Sequence, residues 1–338
     1  MIIMLLNEKI KVSIVIPVYN VSAYVERCIK SVLYQTYTCI ECIIVDDATP
    51  DDSIFKCKQL IEEYQGPIRF DILHHEHNRG LSASRNTGTK AATGEYVFYL
   101  DSDDEILPNS IEKMVEVVHD YPDVEMVQGN YETYIQDDNS NPTLKERTHL
   151  LEGNYDSKEE IQNIYKKDGV FNSHAWNKLL KKDFLFQNQL FFKEGVLWED
   201  MLWFCLVKRC LSRYSVVADI TLKYYIRPNS ITTGTSDKER ARHLEKIYEG
   251  IALNFSERDQ GWEAKKNLRG FCSVLIHNYD SQTSQQTAQL FLKALDDSPY
   301  LLSRLYLRFT IFLSKSSAGR NFFALARSIR KAIKSKIE

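Results

Sequence analysis

The sequence predicts an α/β fold with a mostly parallel sheet, a smaller appended region and a helical C-terminal extension. Three observations carry that expectation. Short runs rich in Val and Ile alternate with helical patterns from Lys11 onward, as βαβ units buried on both faces require. The chain has 338 residues, beyond the usual single-domain range, which favours one large domain with a smaller one appended. Beyond Asp237 the pattern is helical to the end.

The first strand is KVSIVIPVY, followed by a helix over about 21–35 and a second strand in IECIIVDD. Thr49-Pro50-Asp51-Asp52 announces a second helix, with Thr49 as its cap, Pro50 at the first helical position and Asp52 reaching back. A third strand over 68–73 leads through HHEHNRG into a helix over 81–92, and EYVFYLD is a fourth strand. After Pro108 comes an amphipathic helix to about residue 119, then VEMVQGNYETY as a further strand. The stretch QDDNSNPTLKERTHL is polar and loop-like, and the domain boundary is expected there. Three regions follow, 10–135, 150–235 and 237–338.

With 43 basic and 46 acidic residues the net charge is −3, so no overall positive field attracts a polyphosphate backbone, and nucleic acid is excluded as a partner. Seven cysteines lie in apolar surroundings without zinc spacing and read as reduced core residues. The initial MIIMLL run is too short for a signal peptide, and nowhere do 18 apolar residues run uninterrupted; a cytoplasmic location is expected.

Ligands of open parallel sheets bind outside the carboxyl ends of the strands. Four predicted strand ends carry polar residues: Pro17-Val18-Tyr19-Asn20, Asp46-Asp47, Asn78-Arg79-Gly80, and Asp101-Ser102-Asp103-Asp104. Several carboxylates within four residues repel one another unless a cation sits among them. Mg²⁺ or Mn²⁺ would relieve that and share its oxygen ligands with substrate phosphates. Asp101 and Asp103 are the metal candidates, while Asp104 and Glu105 read as a turn or a cap of the helix after Pro108. Asp47 could accept from a base and Tyr19 stack on it, or both could be structural. Arg79 and Arg85 flank a helix start at Gly80, where backbone amides favour an anion. His74, His75 and His77 read as solvated residues. No GxGxxG follows the first strand, which weakens a dinucleotide-binding reading.

Four segments resemble family 2 glycosyltransferases of the GT-A fold, a Rossmann-like architecture: VSIVIPVYN, IIVDDATPDDS, NRGLSASRNTG and EYVFYLDSDD, in the family's order and spacing over about the first 130 residues. The resemblance implies that Pro17, Tyr19 and Asn20 line a nucleotide pocket and that Asp47 holds the base. Asn78, Arg79, Gly80 and Arg85 would lie near ribose and diphosphate. Asp101, Ser102 and Asp103 match the DxD motif, with Asp103 the direct metal ligand and Asp101 closer to the ribose and metal waters. Ala48 stands where the family usually has glycine, and an ordinary backbone conformation is expected there.

Trp198-Glu199-Asp200 matches the family's ED motif, whose aspartate is the proposed base. HAWNKLLKKDFL and YYIRPNSIT resemble segments of bacterial capsule and lipopolysaccharide members. Trp176, Trp198 and Trp203 fit either a core or a sugar platform; Trp176, Trp198 and Glu199 are the acceptor-binding candidates. The resemblance implies inverting transfer from a nucleotide-diphosphate sugar to a lipid-linked or oligosaccharide acceptor, with the leaving diphosphate stabilised by metal and arginines and Asp200 taking the acceptor proton. A nucleotidyltransferase is the enzyme alternative, but it would want a glycine-rich basic loop after the first strand. A non-catalytic nucleotide-sugar-binding subunit of a polysaccharide assembly is the other.

From residue 300 the chain carries Arg304, Arg308, Lys315, Arg320, Arg327, Arg330, Lys331, Lys334 and Lys336 against Glu338 alone, interleaved with Leu, Ile and Phe. Such a segment fits the interface of an anionic membrane at the inner face of the cytoplasmic membrane. The alternative is a helix packed on its own domain or on another subunit, so a homodimer stays open.

Overall fold

The computed structural model describes residues 9–136, 141–166, 173–228, 230–254, 281–295 and 301–315, with 267, 270–272, 274 and 275. The chain forms two compact units, Met1–Gly195 with Trp203–Thr233, and Val196–Leu202 with Gly234–Glu338.

The first unit is built on one sheet. Strands β1 (Val12–Val18), β2 (Ile40–Asp46), β3 (Arg69–His74) and β4 (Tyr96–Tyr99) lie parallel in the order β3-β2-β1-β4. All seven residues of β1 are buried, so alternation is absent and the run reads as continuously apolar. Each fully buried Ile or Val there contributes about 1.5–3 kcal/mol. The sheet continues through β9 (Lys178–Lys181), β6 (Met126–Ile135), β10 (Tyr214–Ile226) and β5 (Glu105–Ile106). Strand β9 runs antiparallel between β4 and β6, and β10 is parallel to β6, so strands from the 150–235 stretch complete the sheet that the first stretch begins.

Helices α1 (Val25–Leu33), α2 (Ser53–Glu63) and α3 (Leu81–Ala91) connect the parallel strands. Helix α4 (Ser110–Asp120) buries Ile111, Met114, Val115 and Val118, the spacing of one helical face. Helix α3 approaches β1 closely at Gly88, where an added Cβ would stand 2.3 Å from Val15 Cγ1. That approach brings the polar start of α3 to the sheet's carboxyl edge.

Four local expectations are corrected. The polar 136–150 stretch contains strand β7 (Thr143–Arg147), paired antiparallel to β6 with every residue exposed; its stability comes from the ladder, which leaves no apolar pattern to read. Helix α2 begins at Ser53, and Asp51 rather than Thr49 serves its start: Asp51 Oδ1 accepts from Ser53 N at 3.1 Å and from Thr49 Oγ1 at 2.7 Å. Ala48 sits at φ 55, in the left-handed region, because the chain must turn sharply after Asp47. Glu105 lies in β5 and accepts from Tyr225 Oη at 2.7 Å and from Lys223 at 2.9 Å, so it fastens β10 and caps nothing.

All seven cysteines are free thiols; Cys28, Cys42, Cys57 and Cys272 are buried, whereas Cys39, Cys205 and Cys210 are partly exposed. In the second unit, helix α9 (Asp237–Leu253) is capped by Ser236, whose side chain accepts from Glu239 N. Helices Gln282–Ala294 and Leu301–Ser314 follow. No described helix is long and apolar enough to cross a membrane. The basic segment from residue 316 on, and the MIIMLL run, lie outside the described residues.

Candidate active site

Register alone gathers the predicted residues. Val18, Asp46 and His74 are consecutive ladder partners, so β1, β2 and β3 end level. Tyr99 pairs with Val15, which brings Asp101, two residues further on, level with Pro17. Pro17 is buried, Tyr19 is 46% exposed, and Asn20, at φ 53, donates its N–H to Thr49 Oγ1 at 2.8 Å.

Asp47 is almost wholly enclosed, and its carboxylate organises the neighbouring turn. Oδ1 accepts from Arg79 N at 2.8 Å and Oδ2 from Gly80 N at 2.7 Å. His75 Nδ1 lies 2.7 Å from Oδ1, and its Nε2 lies 2.9 Å from Thr87 Oγ1. The expectation that His75 is solvated is therefore corrected: its side chain is 5% exposed and bridges Asp47 to α3. Gly80 adopts φ 88 at the start of α3, a conformation that suits glycine alone. Asn78 is exposed, and the half-exposed Arg79 reaches Glu194 at 3.3 Å.

The acid cluster is balanced by arginines. Arg85, buried on α3, donates to Asp101 Oδ1 at 2.7 Å. Arg227, 124 residues away in sequence, donates from Nε to Asp103 Oδ2 at 2.7 Å and lies over the Tyr24 ring. Arg27 donates to the Asp103 carbonyl at 2.6 Å and packs on Tyr225 at 3.5 Å from its centroid. Ser102 is buried. Burial raises the Asp103 carboxyl above its usual range, Arg227 pulls it back, and Asp101 adds to the rise. Asp104 is pushed well up, first by burial and then by Asp103 and Asp101. It accepts Tyr225 N at 2.9 Å on Oδ1, and Oδ2 takes no hydrogen bond among the described residues. Asp104 thus holds β10 rather than capping α4.

Among the described residues no group of three His, Cys, Asp or Glu side chains is placed to hold a metal unaided. Asp101 and Asp103 each spend one oxygen on an arginine and keep a second for another ligand. Two carboxylate oxygens suit a hard cation that completes its shell with water and phosphate oxygens, so the donor set fits Mn²⁺ or Mg²⁺.

Trp176 is 3% exposed, its ring stacked against those of His174 and Tyr224 and met edge-on by Tyr131, so the ring is committed to packing. Trp203 is likewise core, with its Nε1 donating to Leu190 O at 2.9 Å. In the second unit Glu199 and Asp200 occupy the first turn of α7 (Glu199–Cys210), whose amide dipoles favour ionised acids. Trp198 precedes them at φ 58, with the Arg240 guanidinium 5.0 Å from its ring. Leu197 N donates to His243 Nδ1 at 3.1 Å, which needs that nitrogen unprotonated; burial lowers the His243 pKa accordingly. Glu199 is buried.

Sequence reasoning missed Arg27, His75 and Arg227. Arg227 lies within the YYIRPNSIT segment, the one available signal.

The model of the family "Glycosyl transferase family 2" matches residues 13–186. Glycosyltransferase GlyG of Streptococcus pneumoniae is 30% identical over 242 residues, covering 70% of this chain and 78% of the relative. The crystal structure of S. aureus TarS 1-349 in complex with UDP-GlcNAc superposes with a TM-score of 0.65 at 18% identity, covering 90% of this chain and 89% of that one. The mannosyltransferase PcManGT from Pyrobaculum calidifontis, in complex with GDP-Man and Mn²⁺, gives a TM-score of 0.52 at 16% identity, over 97% and 87% of the two chains. These likenesses show a shared GT-A-type fold.

Proposed function

Because the chain belongs to glycosyl transferase family 2 and is a glycosyltransferase, we propose that its donor is a nucleoside-diphosphate sugar, with UDP-sugars the first candidates. The acceptor is a hydroxyl of a lipid-linked or oligosaccharide intermediate in bacterial surface-polysaccharide synthesis, and transfer inverts the anomeric centre. One observation carries this reading: Asp101 and Asp103, countered by Arg85 and Arg227, stand at the carboxyl edge where Asp47 holds the start of α3. TarS and PcManGT, which share the fold, bind UDP-GlcNAc and GDP-Man.

Tyr19 and Asn20 bound the nucleotide side, and the exposed guanidinium of Arg79 balances charge on the departing diphosphate. Asp103, assisted by Asp101, would hold Mn²⁺ or Mg²⁺, which supplies further neutralisation of that diphosphate. Asp200 accepts the proton of the attacking acceptor hydroxyl, while Glu199 and Trp198 serve the acceptor. Thermal shift with Mn²⁺ and a panel of UDP-, GDP- and dTDP-sugars tests the donor: one class raises the melting temperature, and no response from any class refutes the reading.

The protein works at the inner face of the cytoplasmic membrane. Helix Leu301–Ser314 exposes Leu305, Tyr306, Phe309 and Phe312 while burying Leu307, Thr310 and Ser314, so an apolar face accompanies the basic residues. Each basic residue contributes up to about 1 kcal/mol at an anionic surface. Truncation after residue 299 should abolish co-sedimentation with anionic liposomes; equal sedimentation of both forms would assign the segment to packing.

A further inference from the structure

His75 has no place in the transfer chemistry, yet it is buried between two polar partners. Its backbone N–H donates to Asp46 O at 2.9 Å and continues the ladder that ends β3. Its Nδ1 stands 2.7 Å from Asp47 Oδ1, and its Nε2 stands 2.9 Å from Thr87 Oγ1. The Asp47 carboxylate already accepts from two backbone amides, so the imidazole supplies its third donor from Nδ1, and Nε2 pairs with the Thr87 hydroxyl. The chain of contacts runs from α3 through the imidazole to the carboxylate that holds Arg79 N and Gly80 N.

Three donors share the Asp47 carboxylate, and two of them are backbone amides of the very turn that opens α3. The imidazole is the one side chain of the three, and its ring is gripped from both sides. It sets the angle at which the carboxylate presents its oxygens, and so the path of the 78–80 turn that leads to Arg85.

We propose that His75 is a positioning residue for the donor pocket: through Asp47 it fixes the turn of Asn78, Arg79 and Gly80 against which a nucleoside diphosphate binds. The inference rests on the proposed donor class and adds a residue to that site that touches neither donor nor acceptor.

The test uses the full chain with two substitutions. His75→Phe keeps the bulk and removes both polar contacts, and His75→Asn restores an N–H near the Nδ1 position. Two quantities are measured: hydrogen exchange of the Arg79 and Gly80 amides, and binding of UDP, GDP or dTDP with Mn²⁺ by calorimetry. His75→Phe should speed exchange of both amides at least tenfold and weaken diphosphate binding by about tenfold, and His75→Asn should recover most of each. Faster exchange with unchanged binding would overturn the proposal, since the turn would then be uncoupled from the pocket. Weaker binding with unchanged exchange would also overturn it, because His75 would then touch the ligand itself. Should the unsubstituted protein bind none of the three diphosphates, the donor reading falls; unchanged exchange in His75→Phe would then still refute the hold of His75 on the turn. Should His75→Phe fail to fold, His75→Asn compared with His75→Gln carries the same comparison.

Discussion

At the amino end of the parallel sheet Glu41 is surrounded by donors, whereas at the carboxyl end Asp103 and Asp104 crowd one another. Glu41 accepts from Ser13 Oγ, Thr93 N and Gly94 N and pairs with Lys11 at 2.6 Å. Burial alone would raise its carboxyl, but the hydrogen bonds from Lys11, Ser13 and Thr93 outweigh it and bring the pKa down to about 2. Asp103 and Asp104 move the other way, because burial, joined by the charge of Asp101 at Asp103 and by those of Asp103 and Asp101 at Asp104, exceeds what their partners return. Similar acids on one sheet thus stand in opposite balance at its two ends: the satisfied Glu41 staples strands together, whereas burial outweighs the partners of Asp103 and Asp104.

The widest separation of the two edges comes from Asp103→Ala. Transfer and metal-dependent donor binding should fall at least about 10³-fold while the protein stays folded, its melting temperature lowered only by the lost pairing with Arg227. Activity that persists unchanged in excess chelator would remove the carboxyl edge from the chemistry.

Asp200→Asn asks whether a second kind of acid, neither staple nor metal ligand, completes the reaction. It keeps the shape of the α7 first turn and removes the basic oxygen, so turnover should fall by at least about 10², with donor affinity unchanged. Near-normal turnover with a lowered melting temperature would reduce Asp200 to a helix-start residue.

Glu41→Ala probes the opposite edge. It should cost about 2 kcal/mol of stability, because the Ser13, Thr93 and Gly94 donors lose their acceptor, while turnover per folded molecule stays the same. The sign of the pH dependence follows from the depressed folded pKa. The unsubstituted protein holds this contribution above the ordinary carboxylate range and loses it as pH falls toward about 2. The stability gap between the two proteins should therefore close in acid; a constant gap would mean that packing, not charge, is what Glu41 supplies.

What was legible in the sequence tracks how local each signal is. Strands β1, β2 and β4 announced themselves because both faces are buried, and the acids that end them needed only strand register to converge. Arg227 could not be found that way: its pairing with Asp103 depends on β10 lying beside β5, a contact no local pattern encodes. His75 read as solvated because its burial is made by Asp47 and by Thr87 on α3. Trp176 could not be divided between core and sugar platform until Tyr131, His174 and Tyr224 closed around it.

Ala48 is the smallest of these tests and bears on how tightly the carboxyl edge is built. It sits at φ 55 between Asp47 and Thr49, and a side chain in the left-handed region costs about 1–2 kcal/mol through contact of Cβ with its own backbone. Glycine there removes that clash but adds freedom to the unfolded chain, which returns part of the gain. Ala48→Gly should therefore stabilise by about 1 kcal/mol, a rise of roughly 2–4 °C in melting temperature for a unit of this size. Donor affinity should change less than about threefold, since the bonds that orient Asp47 come from Arg79, Gly80 and His75 and none from Ala48. A melting temperature that stays level or drops would show that the Ala48 methyl packs well enough to offset its strain. A large loss of donor affinity would instead mean that the strained turn itself positions Asp47, and that this edge holds its geometry at a cost in stability that the Glu41 edge does not bear.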